Sequence, residues 1–404
     1  MLVVMKFGGS SLADVSLIEN AAGQIRDMAA SGARVVVALS AMGKTTNDLL
    51  ALADSVNPKA SRRELDMLLS IGEQQSVALM AMALQKMGLQ AISLNARQAG
   101  ISASSIHFNA RIKNIDTYRI NSELDRGQVV IVAGFQGVNR HDDVVTLGRG
   151  SGDVTAVALA AALNADECRI YTDVDGIFTA DPRIVPDAKR LAVIGYDEMI
   201  EMAALGAKVL QCRSVSLAKK HGVRLVVLSS TGTCGGTIVK EDGKVEGLFI
   251  SGVTIDRDIA RISLDGIANA PGVWFRVFSS LNRRNISADM VSQSITRDGL
   301  KDISFIVAKS EMDAAIDALN ENRGRIGFSA ISHEADIAKL SVISAGAATN
   351  PGIPSILFEA LYDATINIHM ISTSEIRTSV LVAIDDAERA ARAVHKKFVE
   401  AGYI

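Results

Sequence analysis

Cysteine is scarce in this chain of 404 residues. The three present, Cys168, Cys212 and Cys234, lie far apart and match no metal-ligand spacing, so a reduced cytoplasmic protein is the default expectation. The six histidines are scattered, and none falls within a phosphate- or substrate-site candidate used below. Long apolar runs are missing too: none approaches the ~20 residues that span a bilayer. The N-terminus lacks the charged, then apolar, then small-residue order of a signal peptide. Charge of one sign is not in excess. The formal net charge is -3, with 22% charged residues, which leaves no electrostatic case for nucleic acid or an anionic membrane. What remains is a globular composition, 48% hydrophobic, on a chain long enough for two or three domains.

The most informative stretch is the first, Met1 to Leu12. An apolar run centred on Val3 and Val4 ends in Lys6, Phe7, Gly8, Gly9 and two hydroxyls, and Ala13 to Met28 then reads as a helix. A buried strand that delivers a lysine and a Gly-Gly turn to a helix mouth outlines a phosphate site. Glycines allow close backbone approach, the helix start offers free N–H groups, and the lysine supplies charge.

Strands then alternate with helices. Ala33 to Leu39, Leu89 to Leu94, Gln128 to Gly134, Arg169 to Thr172 and Val223 to Leu228 read as strands. Arg62 to Met87, Asp153 to Leu163 and Met199 to His221 read as helices. The pattern predicts a three-layer α/β sandwich with a mostly parallel sheet, over residues 1–232. Ligands of such sheets bind beyond the carboxyl ends of the strands.

Residues 233–245 are glycine-rich, with little periodicity, and read as a linker. An internal repeat follows. Ala260-Arg-Ile-Ser-Leu, Pro271-Gly272 and Asn285-Ile-Ser-Ala-Asp-Met-Val recur as Ala338-Lys-Leu-Ser-Val, Pro351-Gly352 and Ile366-Asn-Ile-His-Met-Ile. Each unit has the ferredoxin-like βαββαβ order. The first copy closes with a strand at Arg325 to Ser332. The second runs out after the helix Asp386 to Ala401, one strand short. The unassigned run Glu246 to Thr254 can supply it. The expectation is a first copy, 260–335, inserted within a second made of 246–259 plus 336–404.

Two familiar phosphate motifs fail. Gly43-Lys44-Thr45 lacks the P-loop glycine five places earlier, where Ala38 stands. Gly148-Arg-Gly150-Ser-Gly152 has Asp153 where a dinucleotide fingerprint needs its third glycine. Other candidates stand on their chemistry. Thr46 suits a small polar substrate or a helix N-cap. Glu73 follows Gly72, which costs a helix interior ~1 kcal/mol relative to alanine, a cost tolerable where something approaches the backbone. Arg149 suits a bidentate grip on a carboxylate, and Asp153 could orient Lys6 or a bound magnesium ion. Tyr171-Thr-Asp-Val-Asp-Gly-Ile-Phe-Thr-Ala-Asp-Pro-Arg183 reads by itself as a β-hairpin with Asp-Gly at its turn.

Together these stretches resemble aspartate kinases, within the amino-acid kinase family. The resemblance rests on Lys-Phe-Gly-Gly-Ser-Ser, the Ile-Gly-Glu helix, the Arg149–Asp153 glycine loop, the Thr-Asp-Val-Asp-Gly run and a C-terminal pair like ACT domains. It implies transfer of phosphate from ATP, carried with Mg²⁺, to the side chain of L-aspartate, with no metal ligands from protein side chains. It implies catalytic roles for Lys6, Asp153 and Lys208. It places ATP on Lys6, Phe7, Gly8, Gly9, Thr172, Asp173, Phe178 and Arg183. It places aspartate on Thr46, Glu73, Arg149 and Ser151. The family pattern Gly-Arg-Gly-Gly-Ser-Asp appears here with serine and glycine exchanged at 151 and 152. For the ACT pair it implies feedback by lysine, threonine or both, at Asp289, Gln293, Asn367, Ile368, Ser374 and Glu375, and a homodimer or higher oligomer. Rivals are another kinase of the same fold, acting on glutamate or acetylglutamate, and a non-catalytic amino-acid sensor.

Overall fold

The computed structural model describes residues 1–207, 209–232, 235–241, 250–344 and 350–404. It divides into two compact units. The first comprises Met1–Phe178, Arg190–Ala204 and Lys208–Glu246; the second comprises Thr179–Lys189, Leu205–Ala207 and Gly247–Ile404.

The first unit is built on an eight-stranded sheet. Its order is Val193–Gly195, Thr237–Lys240, Leu225–Ser229, Glu167–Thr172, Leu2–Phe7, Arg34–Leu39, Val129–Ala133 and Ala91–Leu94. Its neighbours run parallel, except Leu225–Ser229 against Thr237–Lys240. The opening strand is central: Lys6 lies opposite Ala38 on one side and Ile170 on the other. Val3, Val4 and Met5 have no exposed surface, because helices cover both faces of the sheet. The helices Val15–Ala30 and Ile71–Lys86 pack on one face, and Gly152–Ala162 packs on the other.

Several expected boundaries move. Asp14 accepts the Leu17 N–H at 2.9 Å and so starts the first α-helix at Val15, not Ala13. A short 3₁₀ turn, Gly9–Leu12, lies between it and the strand. The N–H groups beside Gly-Gly therefore belong to that turn, not to the mouth of the α-helix. The stretch Arg62–Lys86 is long and apolar enough to cross a membrane by composition, but half of its apolar window is buried in the domain. It also breaks at Ser70, into Arg62–Leu69 and Ile71–Lys86. Met199 to His221 is two helices, Tyr196–Ala204 and Cys212–His221. Gly206, at φ +106°, ends the first of them; a Cβ there would sit 2.3 Å from Ile255 O. The expected linker 233–245 contains the strand Thr237–Lys240. Its β-branched Thr-Ile-Val run fills the sheet edge, while the flanking glycines masked it in the sequence. Four short strands went unforeseen: Ile112–Ile115, Ile101–Ala103, Gln136–Val138 and Val144–Thr146 form a separate small sheet. At three or four residues each they are too short for alternation to register.

The second unit holds two four-stranded sheets. One has the order Asp289–Gln293, Leu300–Ala308, Ile259–Ala268, Ala330–Glu334; the other has Met370–Thr373, Arg377–Ala383, Ile337–Ile343, Gly252–Asp256. Gly252–Asp256 pairs antiparallel with Ile337–Ile343, the place that Ala330–Glu334 holds in the first sheet. Arg325 lies in a helical turn, Arg323–Ile326, ended by Gly327 at φ +85°, so the closing strand of the first copy starts later than expected. The sequence pattern places Thr179–Lys189 in the first domain, 1–232. Ala180 and Val185 instead sit in the core of the second unit, with Ile250, Leu340, Val380 and Phe398.

Candidate active site

The carboxyl ends of the parallel strands converge with the start of one helix. Lys6 lies at the carboxyl end of the central strand, next to its last residue Phe7, and its Nζ lies 2.7 Å from Asp153 Oδ1, in the first turn of Gly152–Ala162. Asp153 Oδ2 accepts the Gln211 N–H at 3.3 Å, and Gln211 Nε2 donates to Arg149 O at 3.2 Å. Lys6 and Arg149 thus share one end of the sheet.

The glycines make this convergence possible. A Cβ on Gly152 would come within 2.7 Å of Ser40 Oγ and 3.3 Å of Lys6 Cε. A Cβ on Gly9 would lie 2.8 Å from Ala41 O. Each is closer than van der Waals contact, so the turns after the first two strands meet only because these positions carry no side chain.

Gly72 serves the same purpose one layer away, where a Cβ would meet that of Ala41 at 2.8 Å. This close approach delivers the neighbouring Glu73. Its side chain is 3% exposed, which rules out a solvated glutamate on a helix face. Oε1 accepts the Ala41 N–H at 3.1 Å, while the buried Oε2 has no hydrogen-bond partner among the described residues. Burial pushes the carboxyl up from 4.5 to about 7, and the backbone bond from Ala41 offsets only part of that. A buried carboxylate with one unpartnered oxygen is suited to receiving a cation.

Arg149 is exposed, with Nη2 donating to Asn47 Oδ1 at 3.1 Å. Thr46 lies half-buried in the first turn of Thr45–Val56, where Lys44 holds the N-cap position, so Thr46 is not the cap that the sequence allowed. Ser151 departs further from expectation. It has no exposed surface, and its hydroxyl donates to Gly148 O at 2.5 Å. The exchanged serine therefore braces the loop from inside, and its proton is already committed. Phe7 is also withdrawn from the ligand side: its ring is fully buried and stacked on Tyr171 at 4.5 Å, and its carbonyl accepts the Ser40 N–H. Gly8 leaves the Lys6 amine uncovered, since a Cβ there would touch Nζ at 3.4 Å.

Thr172 and Asp173 stand at the end of their strand, with Thr172 Oγ1 donating to Asp173 Oδ1 at 3.0 Å. Ile177 and Phe178 pair with Arg190 and Leu191 rather than forming a tight Asp-Gly hairpin. Gly176 is held at φ +134° beside Thr237. Arg183 belongs to the second unit, where it grips Asp181 and holds that carboxyl below its usual range. Lys208 lies outside the described residues.

The amino acid kinase family matches residues 1–229, and the ACT domain matches 262–322 and 340–398. The aspartokinase of Mycolicibacterium smegmatis is 47% identical over 403 residues, 98% of this chain and 96% of its own. The chain belongs to the aspartokinases. Aspartokinase 2 of Bacillus subtilis is 43% identical over 398 residues, covering 98% of this chain and 97% of its own. Among solved structures, E. coli aspartokinase III in complex with aspartate and ADP superposes with a TM-score of 0.85 at 26% identity, over 99% of this chain and 100% of that one. As an aspartokinase the chain is an ATP-using phosphotransferase with a carboxyl acceptor and C-terminal ACT domains.

Sequence reasoning missed residues that hold this aspartokinase site in place. Arg213 donates to Leu147 O at 2.8 Å and Ala110 O at 2.9 Å. Ser40 packs against Gly152, and Gln211 links Asp153 to Arg149. Asp66 is wholly buried. Its signal was present in the sequence: Asp66, Leu69, Glu73, Val77, Met80 and Leu84 recur at three- and four-residue spacing, and all are buried, the first two on Arg62–Leu69 and the rest on Ile71–Lys86.

In the ACT unit two of the six expected effector residues, Asp289 and Gln293, have side-chain partners. Asp289 meets Lys339 Nζ at 3.1 Å and Arg377 Nη2 at 3.2 Å, joining the two copies. Half-burial raises its carboxyl, but those cations outweigh burial and hold it low. Gln293 Oε1 accepts from Trp274 Nε1 at 3.2 Å and Lys301 Nζ at 3.0 Å. Asn367, Ser374 and Glu375 are exposed, and Ile368 is half-buried.

Proposed function

We propose that this aspartokinase transfers the γ-phosphoryl group of ATP to the side-chain carboxylate of L-aspartate, giving ADP and 4-phospho-L-aspartate. That is the first step toward lysine, threonine and methionine. The observation that carries the reading is the Lys6–Asp153 pair at the glycine turn, contiguous through Ser40 and Ala41 with a buried, half-unpartnered Glu73. The nucleophile has a reference pKa of about 3.9 and is ionised at neutral pH, so no general base is needed. The task is to bring two anions together, which is electrostatic work. Lys6 faces the phosphates, Glu73 receives the α-ammonium, and Arg149 grips the α-carboxylate. Thr46, Thr172, Asp173 and the turn at Gly8 and Gly9 complete the two subsites.

Magnesium would enter on the nucleotide. Among the described residues no group of three or more His, Cys, Asp or Glu is arranged to hold a metal. Mg²⁺ commonly binds substrate phosphates with one or two protein carboxylates, and Asp153 fits that limited role. ATP- and aspartate-dependent hydroxamate formation tests the reaction. No product with aspartate would leave a non-catalytic sensor; product with glutamate instead would change the acceptor.

The ACT pair is read as the feedback site for lysine, threonine or both, with the first copy inserted in the second. The E. coli aspartokinase III structure in complex with lysine and aspartate, TM-score 0.75 at 26% identity, supports this. Asp289 and Gln293, with Asn367, Ile368, Ser374 and Glu375, remain the candidate contacts, and the ACT sheets the candidate dimer surface. Initial rates with lysine and threonine, singly and together, test it; no response to any combination removes the feedback role.

A further inference from the structure

Asp66 sits on Arg62–Leu69 with no exposed surface, beneath the glycine loop. Its carboxylate receives the Phe108 N–H, 3.2 Å from each oxygen. Oδ1 also accepts the Thr146 hydroxyl at 2.5 Å, and Oδ2 lies 2.7 Å from His107 Nδ1. A buried carboxylate needs such donors to offset lost hydration, and charge-assisted bonds of this kind are the strong ones. The donors come from two segments that enclose one turn. Thr146 ends the strand Val144–Thr146, three residues before Arg149. Phe108 stands in left-handed backbone at φ 70°, a strained conformation for a bulky L residue. The bond from its N–H to Asp66 stabilises that strain. The Phe108 turn packs directly on Gly148: Asn109 Oδ1 is 3.2 Å, and Phe108 O 3.6 Å, from where a Cβ would be. Ala110 N–H donates to Thr146 O at 2.9 Å and joins the two segments. Arg213 ties Leu147 and Ala110 from its own helix.

Arg149 is exposed and, among the described residues, its side chain bonds Asn47 alone. Its aim must come from the backbone beneath it, because a loose grip loses the entropic advantage of a preset one. We propose that Asp66 is a positioning residue for substrate binding: by clamping Thr146 and Phe108 it presents Arg149 to the aspartate carboxylate in one orientation. This rests on the reading of Arg149 as the carboxylate grip.

Steady-state kinetics on the full chain test it. Asp66→Asn keeps the size but turns one acceptor into a donor that faces a donor. The expected result is an aspartate KM raised at least tenfold, with the ATP KM within twofold. In an Arg149→Ala background the same substitution should change the aspartate KM less than threefold, because its route of action is gone. A further tenfold rise in that background, or an unchanged KM in Asp66→Asn alone, overturns the proposal. Thr146→Val removes one donor, and should raise the aspartate KM about threefold; it decides the matter if Asp66→Asn does not fold. If Arg149→Ala itself leaves the aspartate KM unchanged, the grip reading fails first and the proposal falls with it.

Discussion

Lys6 and Asp153 are an ion pair at 2.7 Å with little exposure, their side chains 13% and 9% accessible. One comes from the central strand and the other from the helix on the opposite side of the glycine loop. The carboxylate holds the ammonium at the strand end without enclosing it, because Gly8 and Gly152 place no side chain over it. The pair is therefore both a structural tie and a poised charge.

Lys6→Ala should lower turnover more than a hundredfold, since losing one preorganised donor costs about 2.7–4 kcal/mol of barrier. It should also lower the melting temperature, because Asp153 is left buried with, among the described residues, only the Gln211 N–H. Adding Asp153→Asn should recover the stability and not the turnover. Near-normal turnover in the single variant would remove Lys6 from the chemistry.

Arg149→Ala separates binding from folding. The side chain is exposed and makes one bond among the described residues, so the melting temperature should hold. A hydrogen bond to a charged group contributes about 1.5–3 kcal/mol, so the aspartate KM should rise roughly tenfold to a hundredfold. A change in the ATP KM alone would assign Arg149 to the other substrate.

Glu73, at about 7, gives a pH dependence with a definite sign. Below that pH the carboxyl is protonated and cannot pair with an ammonium, so the aspartate KM should rise about tenfold from pH 8 to pH 6. The stability effect runs the other way. The folded carboxyl holds its proton up to about 7 and the ordinary one only to 4.5. Stability therefore falls as pH rises between those values, by up to about 3 kcal/mol. Glu73→Gln should flatten both dependences and be at least as stable as the parent at pH 8, at a raised aspartate KM. A flat KM profile in the parent would remove Glu73 from the ammonium site.

Gly72→Ala sets two effects against each other. Helix propensity favours alanine by ~1 kcal/mol. The new Cβ, however, would lie 2.8 Å from that of Ala41, a contact that no rotamer can relieve. Overpacking of this kind costs about 1–3 kcal/mol, so the variant should melt lower and bind aspartate less well. A higher melting temperature would show that the helix can retreat without cost.

The feedback reading gives a prediction as well. Asp289→Asn leaves Lys339, 5% exposed, without its closest carboxylate. It should weaken any lysine or threonine inhibition while leaving uninhibited turnover intact, checked by titrating each effector against initial rate. Unaltered inhibition would move the effector site elsewhere.

The residues themselves determined the layered fold and the chemistry at its centre. Apolar, β-branched runs such as Val35–Leu39 read as strands buried on both faces, and Lys6, Glu73, Arg149 and Asp153 stood out as candidates because each is a charge close to glycine. Tertiary packing decided the rest, because it brings together atoms that local pattern cannot relate. It left Glu73 Oε2 without a partner among the described residues and turned the Ser151 hydroxyl inward. It drew Thr179–Lys189 into the regulatory unit's core and buried Asp66 beneath the loop that Arg149 rides on. Burial and close approach are properties of neighbours far apart in the chain, and these neighbours set what each charged group can do.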